Sequence, residues 1–319
     1  MKSEKFHVET RAFQLTEMND PTFGMAHPWW VFSNDQVPIC LSSQCIIMTV
    51  EDKGLDIVYD AAGKDLDTNH FCTLNLCGPM LLRDDKANQT KPHLVFRGAF
   101  KDGEDWRDQD EKDQWDPRVV VTFQENAWID GKSHMLFLEK VLGPVNARLK
   151  ELGLKGVIFQ DNLSSYTTED VKEFFAEKMD QFCEPRFIPA LMTFILQVID
   201  RHIGKMYKYR VYLKFRVALM KRIKDAQAAN NNDLTTPVPK MSPKEKRILL
   251  TKIVADIHDE VTSGRMFYRA FIATGTWMPI HHLVKDADGN LPLDNGQCSR
   301  GFPGESPAYE GIQLCRELR

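Results

Sequence analysis

Three aspartates stand where a free carboxylate is costly. Asp35 lies inside the apolar, strand-like run Val31-Phe32-Ser33-Asn34-Asp35-Gln36-Val37-Pro38, and Asp161 ends the hydrophobic segment 155–160 and is followed by Asn162. Asp200 comes just past the greasiest window of the chain, Phe187 to Ile199, on the first turns of a long helical pattern. A charge in or beside a buried strand is expensive unless it is paired or metal-bound, so each placement asks for a reason. Carboxylates from two strands and a helix suit two divalent ions roughly 3.5–4 Å apart. Such a pair turns a water or a sugar 3′-hydroxyl into a nucleophile and steadies the oxygens of an in-line phosphodiester displacement. All-oxygen ligands favour Mg2+ or Mn2+. Taken singly, each aspartate also fits a helix cap or an ion-pair partner.

The elements that must carry these groups show in a change of period. Trp30–Ile39, Leu55–Tyr59, His70–Met80, Leu94–Phe96 and Val119–Phe123 are rich in β-branched and aromatic residues, with Gly, Asp and Asn between them, and read as strands. The acidic stretch Lys101–Asp116 reads as a solvated loop. From Gly131 the pattern turns helical, with Met135, Leu138, Leu142, Val145 and Leu149 at steps of three and four, until Gly153 stops it. A short buried strand over 155–160 follows. Thr168 then opens a helix with Glu169 and Asp170 in its first turn, where the dipole favours acids. Arg186–Ile188 reads as a brief strand, and a long helix runs from about Ile195 to Lys224. Asp225–Lys240 has linker composition, and Ser242-Pro243 starts a helix that ends near Thr262, before Gly264. The last forty residues, rich in Gly, Pro and Asp, are expected to be loosely ordered. Strands first, then helix–strand–helix alternation, predict an α/β domain with a mixed sheet covered by helices. The C-terminal helices either pack against that sheet or form a small appendage.

The 319 residues carry 41 Lys+Arg against 45 Asp+Glu, a net charge of −4, and are 43% hydrophobic and 27% charged. That balance is that of a soluble globular protein and excludes disordered, collagen-like and coiled-coil chains. It argues against a wholly basic nucleic-acid binder but leaves local patches open. The charged N-terminus leads into no apolar stretch, and Pro189 and Gln197 interrupt the greasiest window, which is too short to span a membrane. Seven scattered cysteines, an odd number, point to a reducing compartment, so an intracellular protein is expected.

Five other motifs fail on inspection. Asn126–Ser133 ends like a phosphate-binding loop without its leading Gly, and Asp286–Asn290 lacks the Gly and Glu that a calcium loop needs further on. Alternation puts Cys72 and Cys77 on opposite faces of one strand, which favours buried apolar cysteines over a zinc site. His281-His282 has no partner at ligand spacing, and the triplets at Asn88 and Asn162 have no use in an intracellular chain.

A larger pattern runs through the chain. Asn34-Asp35-Gln36-Val37-Pro38, His70 to Met80, and Lys91-Pro92-His93-Leu94-Val95-Phe96-Arg97-Gly98 come in order. Gln124-Glu125-Asn126-Ala127-Trp128, Phe159-Gln160-Asp161-Asn162 and Thr193-Phe194-Ile195-Leu196-Gln197-Val198-Ile199-Asp200 follow, then Gly204 and Lys208. Together they resemble the DDE superfamily endonuclease domain of pogo/Tigger/Jerky-type transposases. The resemblance covers residues 30–224, leaving an N-terminal segment 1–29, a linker 225–243 and a C-terminal tail 244–319. It implies a ribonuclease-H-like fold with Asp35, Asp161 and Asp200 as the metal-binding catalytic carboxylates, and Asn162 and Gln197 beside them. The implied cofactor is a pair of Mg2+ or Mn2+ ions. The implied reaction is cleavage of DNA at transposon ends and joining to target DNA, in the nucleus, with homo-oligomerisation left open. The family usually has Pro where this chain has Val198.

From Lys205 to Lys224 there are eight Lys/Arg and no acid, interleaved with Tyr207, Tyr209, Tyr212 and Phe215. At 100° per residue Ile199, Ile203, Met206, Leu213, Val217 and Met220 form one apolar stripe expected to face the sheet. Lys205, Lys208, Arg216 and Arg222 lie away from it and are candidate DNA-phosphate contacts, the plainer reading being a solvated cationic face. Gly204 is expected to leave room beside the metals. The function that the resemblance implies is that of a two-metal DNA strand-transfer nuclease. A second reading is a truncated or domesticated, catalytically silent relative that binds nucleic acid or protein. It rests on the expectation that a helix-turn-helix region precedes this domain, where only about thirty residues stand before Asp35. A metal-dependent ribonuclease on the same fold is a third.

Overall fold

The computed structural model describes residues 2–16, 24–39, 72–98, 109–229 and 241–278. Among them, β1 (Val31–Ile39), β2 (Cys72–Pro79), β3 (His93–Arg97), β4 (Val120–Gln124), β5 (Val157–Asp161) and β6 (Arg186–Ile188) form one sheet in the order β4-β3-β2-β1-β5-β6. β1, β2 and β3 run antiparallel in succession, while β4 lies parallel to β3, β5 to β1 and β6 to β5. Alternation along β1 sends Val31, Ser33, Asp35, Val37 and Ile39 to one face and Phe32, Asn34 and Gln36 to the other.

Each face is covered by helices. On the Asp35 side, Val31, Val37, Leu74, Leu76 and Phe159 share a core with Phe6, Ile199, Ile203, Tyr207, Leu250, Val254 and Phe267. These come from α1 (Lys2–Gln14), a π-turn at Ile199–Ile203, α7 (Gly204–Ala229), α8 (Pro243–Ser263) and α9 (Met266–Thr274). On the other side Phe32, Cys77 and Ile158 pack with Phe137, Leu138, Val141, Val145, Leu149 and Phe175. Those belong to α3 (Gly131–Phe137), a π-turn at Leu138–Leu142, α4 (Gly143–Leu152) and α5 (Glu169–Lys178). The result is a mixed α/β sandwich compatible with a ribonuclease-H-like arrangement. No described helix is long and apolar enough to cross a membrane.

Several local signals act as the sequence implies. Gly153 caps α4 in the left-handed region at φ 65°. Ser242 and Glu245 close a capping box at the start of α8, and Gly264 ends that helix. Cys72 and Cys77 are both fully buried on opposite faces of β2, and burial pushes the Cys77 thiol far up.

Other expectations change. The pattern over 133–152 is a helix interrupted by the π-turn, which ends where Pro144 lacks an N–H to give the preceding turn. The acidic stretch 101–116 is not loop throughout, because α2 (Gln109–Asp113) lies within it. Glu111 of α2 is buried in a bidentate pair with Arg247 of α8, at 2.6 and 2.8 Å, so tertiary pairing holds an acid that composition assigns to solvent. The long helix expected from Ile195 is broken at Gln197, whose backbone is extended (ψ 113°) between α6 (Thr193–Leu196) and the π-turn at Ile199. α1 and α9 were not legible. α1 buries the polar His7, Thr10 and Gln14 as well as Phe6, and is tied to the end of α9 by Arg11 donating to the carbonyls of Gly275 and Thr276.

Of the two placements open to the C-terminal helices, α8 and α9 pack on the sheet itself. Leu55–Tyr59, His281-His282, Asp286–Asn290, the last forty residues and most of the expected linker lie outside the described residues.

Candidate functional site

The parallel register of β1 with β5, Asn34 beside Gln160, brings Asp35 and Asp161 to the same level on neighbouring strands and the same face. The π-turn at Ile199–Ile203, fixed by burial of Ile199 and Ile203 in the core on that face, carries Asp200 to them. Burial is graded. Asp35 is only 6% exposed, Asp161 is half-buried and Asp200 is open to solvent.

Burial, then the Asp200 and Asp161 charges and a side-chain hydrogen bond with Asp200, hold the Asp35 carboxyl well above the usual carboxylate range, against the Gln36 N–H that favours its charge. Asp161 is raised in the same direction by burial and by Asp200, opposed by the Asn162 N–H. The two strand aspartates are held alike. Gln36 N donates to Asp35 Oδ1 at 2.7 Å, and Asn162 N to Asp161 Oδ1 at 2.8 Å. Asn162 therefore serves through its main chain, and its side chain is exposed.

Gln197 is fully buried and uses both ends of its amide. Nε2 donates to the Asn34 carbonyl at 3.1 Å, and Oε1 accepts from Ser33 Oγ at 3.2 Å. The segment that leads into Asp200 is thereby bonded to the two residues that lead into Asp35. On the opposite face Tyr166, in a short 3-10 turn after Asp161, accepts from Gln36 Nε2 at 3.0 Å and stacks on His134 with centroids 4.0 Å apart. Burial raises the Tyr166 hydroxyl first, and the charges of Asp35 and Asp161 add to it. Sequence reasoning missed Tyr166. The one signal was an aromatic residue in an otherwise polar turn, Ser164-Ser165-Tyr166-Thr167.

The basic helix divides. Lys205 is exposed just beyond the Asp200 turn and Lys208 is half-buried. Arg216 is exposed and donates to Tyr212 Oη at 3.0 Å, while Arg222 pairs with Glu245 at 2.7 Å. Gly204 lies buried against β1, where an added Cβ would stand at ordinary contact distance, 3.5 Å from Val37 Cγ2. The expected apolar stripe is also corrected. Ile199 and Ile203 are buried, but Tyr207, Val211 and Phe215 continue the buried side, while Leu213, Val217 and Met220 are exposed. A π-turn advances less than 100° per residue, so a stripe counted through it at the α-helical period loses phase.

Asp35 and Asp161 are each raised by burial and by the charge of Asp200, and an all-carboxylate set with that repulsion fits a divalent cation chemically, since a cation relieves it. Among the described residues, no three His, Cys, Asp or Glu side chains already stand as a closed metal-binding group. No protein-family model and no curated protein matches this chain.

Proposed function

We propose that the protein is a metal-dependent phosphodiesterase acting on DNA, of the strand-transfer nuclease type that the resemblance implies. The observation that carries this reading is the convergence of Asp35, Asp161 and Asp200 from two adjacent parallel strands and one helical turn, with the charge of Asp200 raising both strand carboxyls. Asp35, Asp161 and Asp200 would hold Mg2+ or Mn2+. Bound there, two such ions supply Lewis acidity to the attacking and leaving oxygens of an in-line displacement. The protein's own part is positional. The Gln36 and Asn162 amides orient one oxygen of each strand carboxylate, Gln197 ties the Asp200 segment to β1, and exposed Asp200 leaves the site open to a long substrate. Lys205, exposed, and Lys208, half-buried, follow Asp200 on the next turns and would contact the phosphate backbone.

The experiment is Mn2+-dependent nicking of supercoiled plasmid by the purified chain, beside Asp35→Asn and Asp161→Asn. Nicking by the wild type that both substitutions abolish supports the reading, and equal nicking by all three means a contaminating nuclease. The second reading, a catalytically silent module that binds nucleic acid or protein, is favoured by the lack of a closed three-ligand group among the described residues. It is the outcome if Mn2+ neither supports nicking nor raises the melting temperature. Cleavage of RNA–DNA hybrid but not of DNA would instead assign a ribonuclease.

A further inference from the structure

The two sides of α7 meet different surroundings. Toward α8, Arg210 and Lys214 both reach Glu260, at 2.6 and 2.8 Å, and Arg222 reaches Glu245. On the other side Leu213, Val217 and Met220 are 40, 69 and 47% exposed. They line an open groove of about 490 Å3 together with Arg216, Lys221 and Lys224, and with Asp225 at its far end. Among the described residues, none of those three cations has an ion-pair partner.

Isolated exposed aliphatics are ordinary on a protein surface. These three differ in spacing, because i, i+4 and i+7 is how one helix offers a seam to another. The seam calls for apolar side chains and the cations beside it call for carboxylates. A nucleic-acid backbone would meet the cations and leave the seam uncovered. A second copy of the same face would bring like charges together with only Asp225 to offset them.

We propose that this face of α7 docks an acidic amphipathic helix of a partner protein. The partner's apolar stripe packs on Leu213, Val217 and Met220, and its flanking Asp and Glu residues pair with Arg216, Lys221 and Lys224. The seam begins about 20 Å along the helix from Asp200, at about 1.5 Å per residue. A partner seated there leaves the carboxylates uncovered, and the inference does not depend on their chemistry.

The test is fluorescence anisotropy of the full chain with a labelled helical peptide of about four turns. The peptide has Leu at i, i+3, i+4 and i+7 with Glu on both flanks, and its control is a scrambled peptide of the same composition. The designed peptide is expected to bind at least about tenfold more tightly than the scrambled one. Val217→Asp, a change at an exposed position, and Lys221→Glu with Lys224→Glu are each expected to weaken it by about tenfold or more, with circular dichroism unchanged. Equal binding of the two peptides, no binding of either, or no effect of Val217→Asp overturns the proposal. So does binding of phosphatidylserine vesicles or of a short DNA duplex that Val217→Asp abolishes while the designed peptide stays unbound, which would reassign the face.

Discussion

The side chain of Gln197 is bonded at once to the main chain of Asn34 and the hydroxyl of Ser33. The chain breaks its helix at Gln197 and resumes it with Val198 and the π-turn that carries Asp200, so this one amide sets the turn against β1. Gln197→Ala removes both bonds inside the core and is expected to cost about 1–3 kcal/mol, read from the urea midpoint. Under the proposed function it also lowers Mn2+-dependent nicking at temperatures where the variant remains folded. Full activity in the folded variant would limit Gln197 to a structural role.

Tyr166 fastens the other neighbour of Asp35. Tyr166→Phe keeps the ring stacked on His134 and removes only the hydroxyl that accepts from Gln36 Nε2. A loss of about 1 kcal/mol is expected. Under the proposed function the midpoint of the Mn2+ titration, followed by melting temperature, also shifts upward. A shift in stability with an unchanged Mn2+ midpoint would separate Tyr166 from the carboxylates.

Four buried histidines make the fold acid-sensitive. Burial is the leading cause at each, lowering His7, His93 and His134 to about 3 and His258 to about 4. The unfolded chain takes up these protons near pH 6.5, while the folded chain refuses them until pH 3–4. Their contribution is therefore complete above pH 6.5 and is lost as pH falls through that window. At one unit below 6.5 each costs about 1.4 kcal/mol, and four together approach the whole stability of a typical domain. Urea midpoints measured from pH 7.5 to 5 should fall steeply below 6.5, and His93→Gln should flatten the slope. A level profile would contradict this account.

Gly78 on β2 faces α9, and a Cβ built on it falls inside contact distance of the Phe267 ring. Gly78→Ala is expected to destabilise by about 1–3 kcal/mol, by forcing apart the sheet and α9. Phe267→Leu added to it should recover part of that loss, because a smaller side chain gives the methyl room. Thermal melts of the two single variants and the double variant measure the coupling.

Much of the architecture is local and was readable. β-branched runs made β1, β3 and β4, Gly153 and Gly264 ended helices, and Ser242 with Glu245 started one. Each depends on neighbours a few residues away, which is the range over which a sequence pattern carries information. α1 and α9 escaped because their identity depends on distant partners. Buried His7, Thr10 and Gln14 disguise α1 as polar until Arg11 and Gln14 meet the carbonyls of Gly275, Thr276 and Met278.

The candidate site divides in the same way. The sequence by itself determined that Asp35 lies within a buried strand and Asp161 at the end of one, while Asp200, which follows the greasiest window, turned out open to solvent. Only the tertiary structure decided that they meet, since that depends on β1 lying parallel to β5 and on where the π-turn stands above them. It also decided which side of α7 is buried. Periodicity assumes a constant angle per residue, and one wider turn moved Leu213, Val217 and Met220 from the expected core to the surface. Hydrogen bonds across more than a hundred residues, such as Gln36 with Tyr166 and Gln197 with Asn34, leave no periodic trace in the chain.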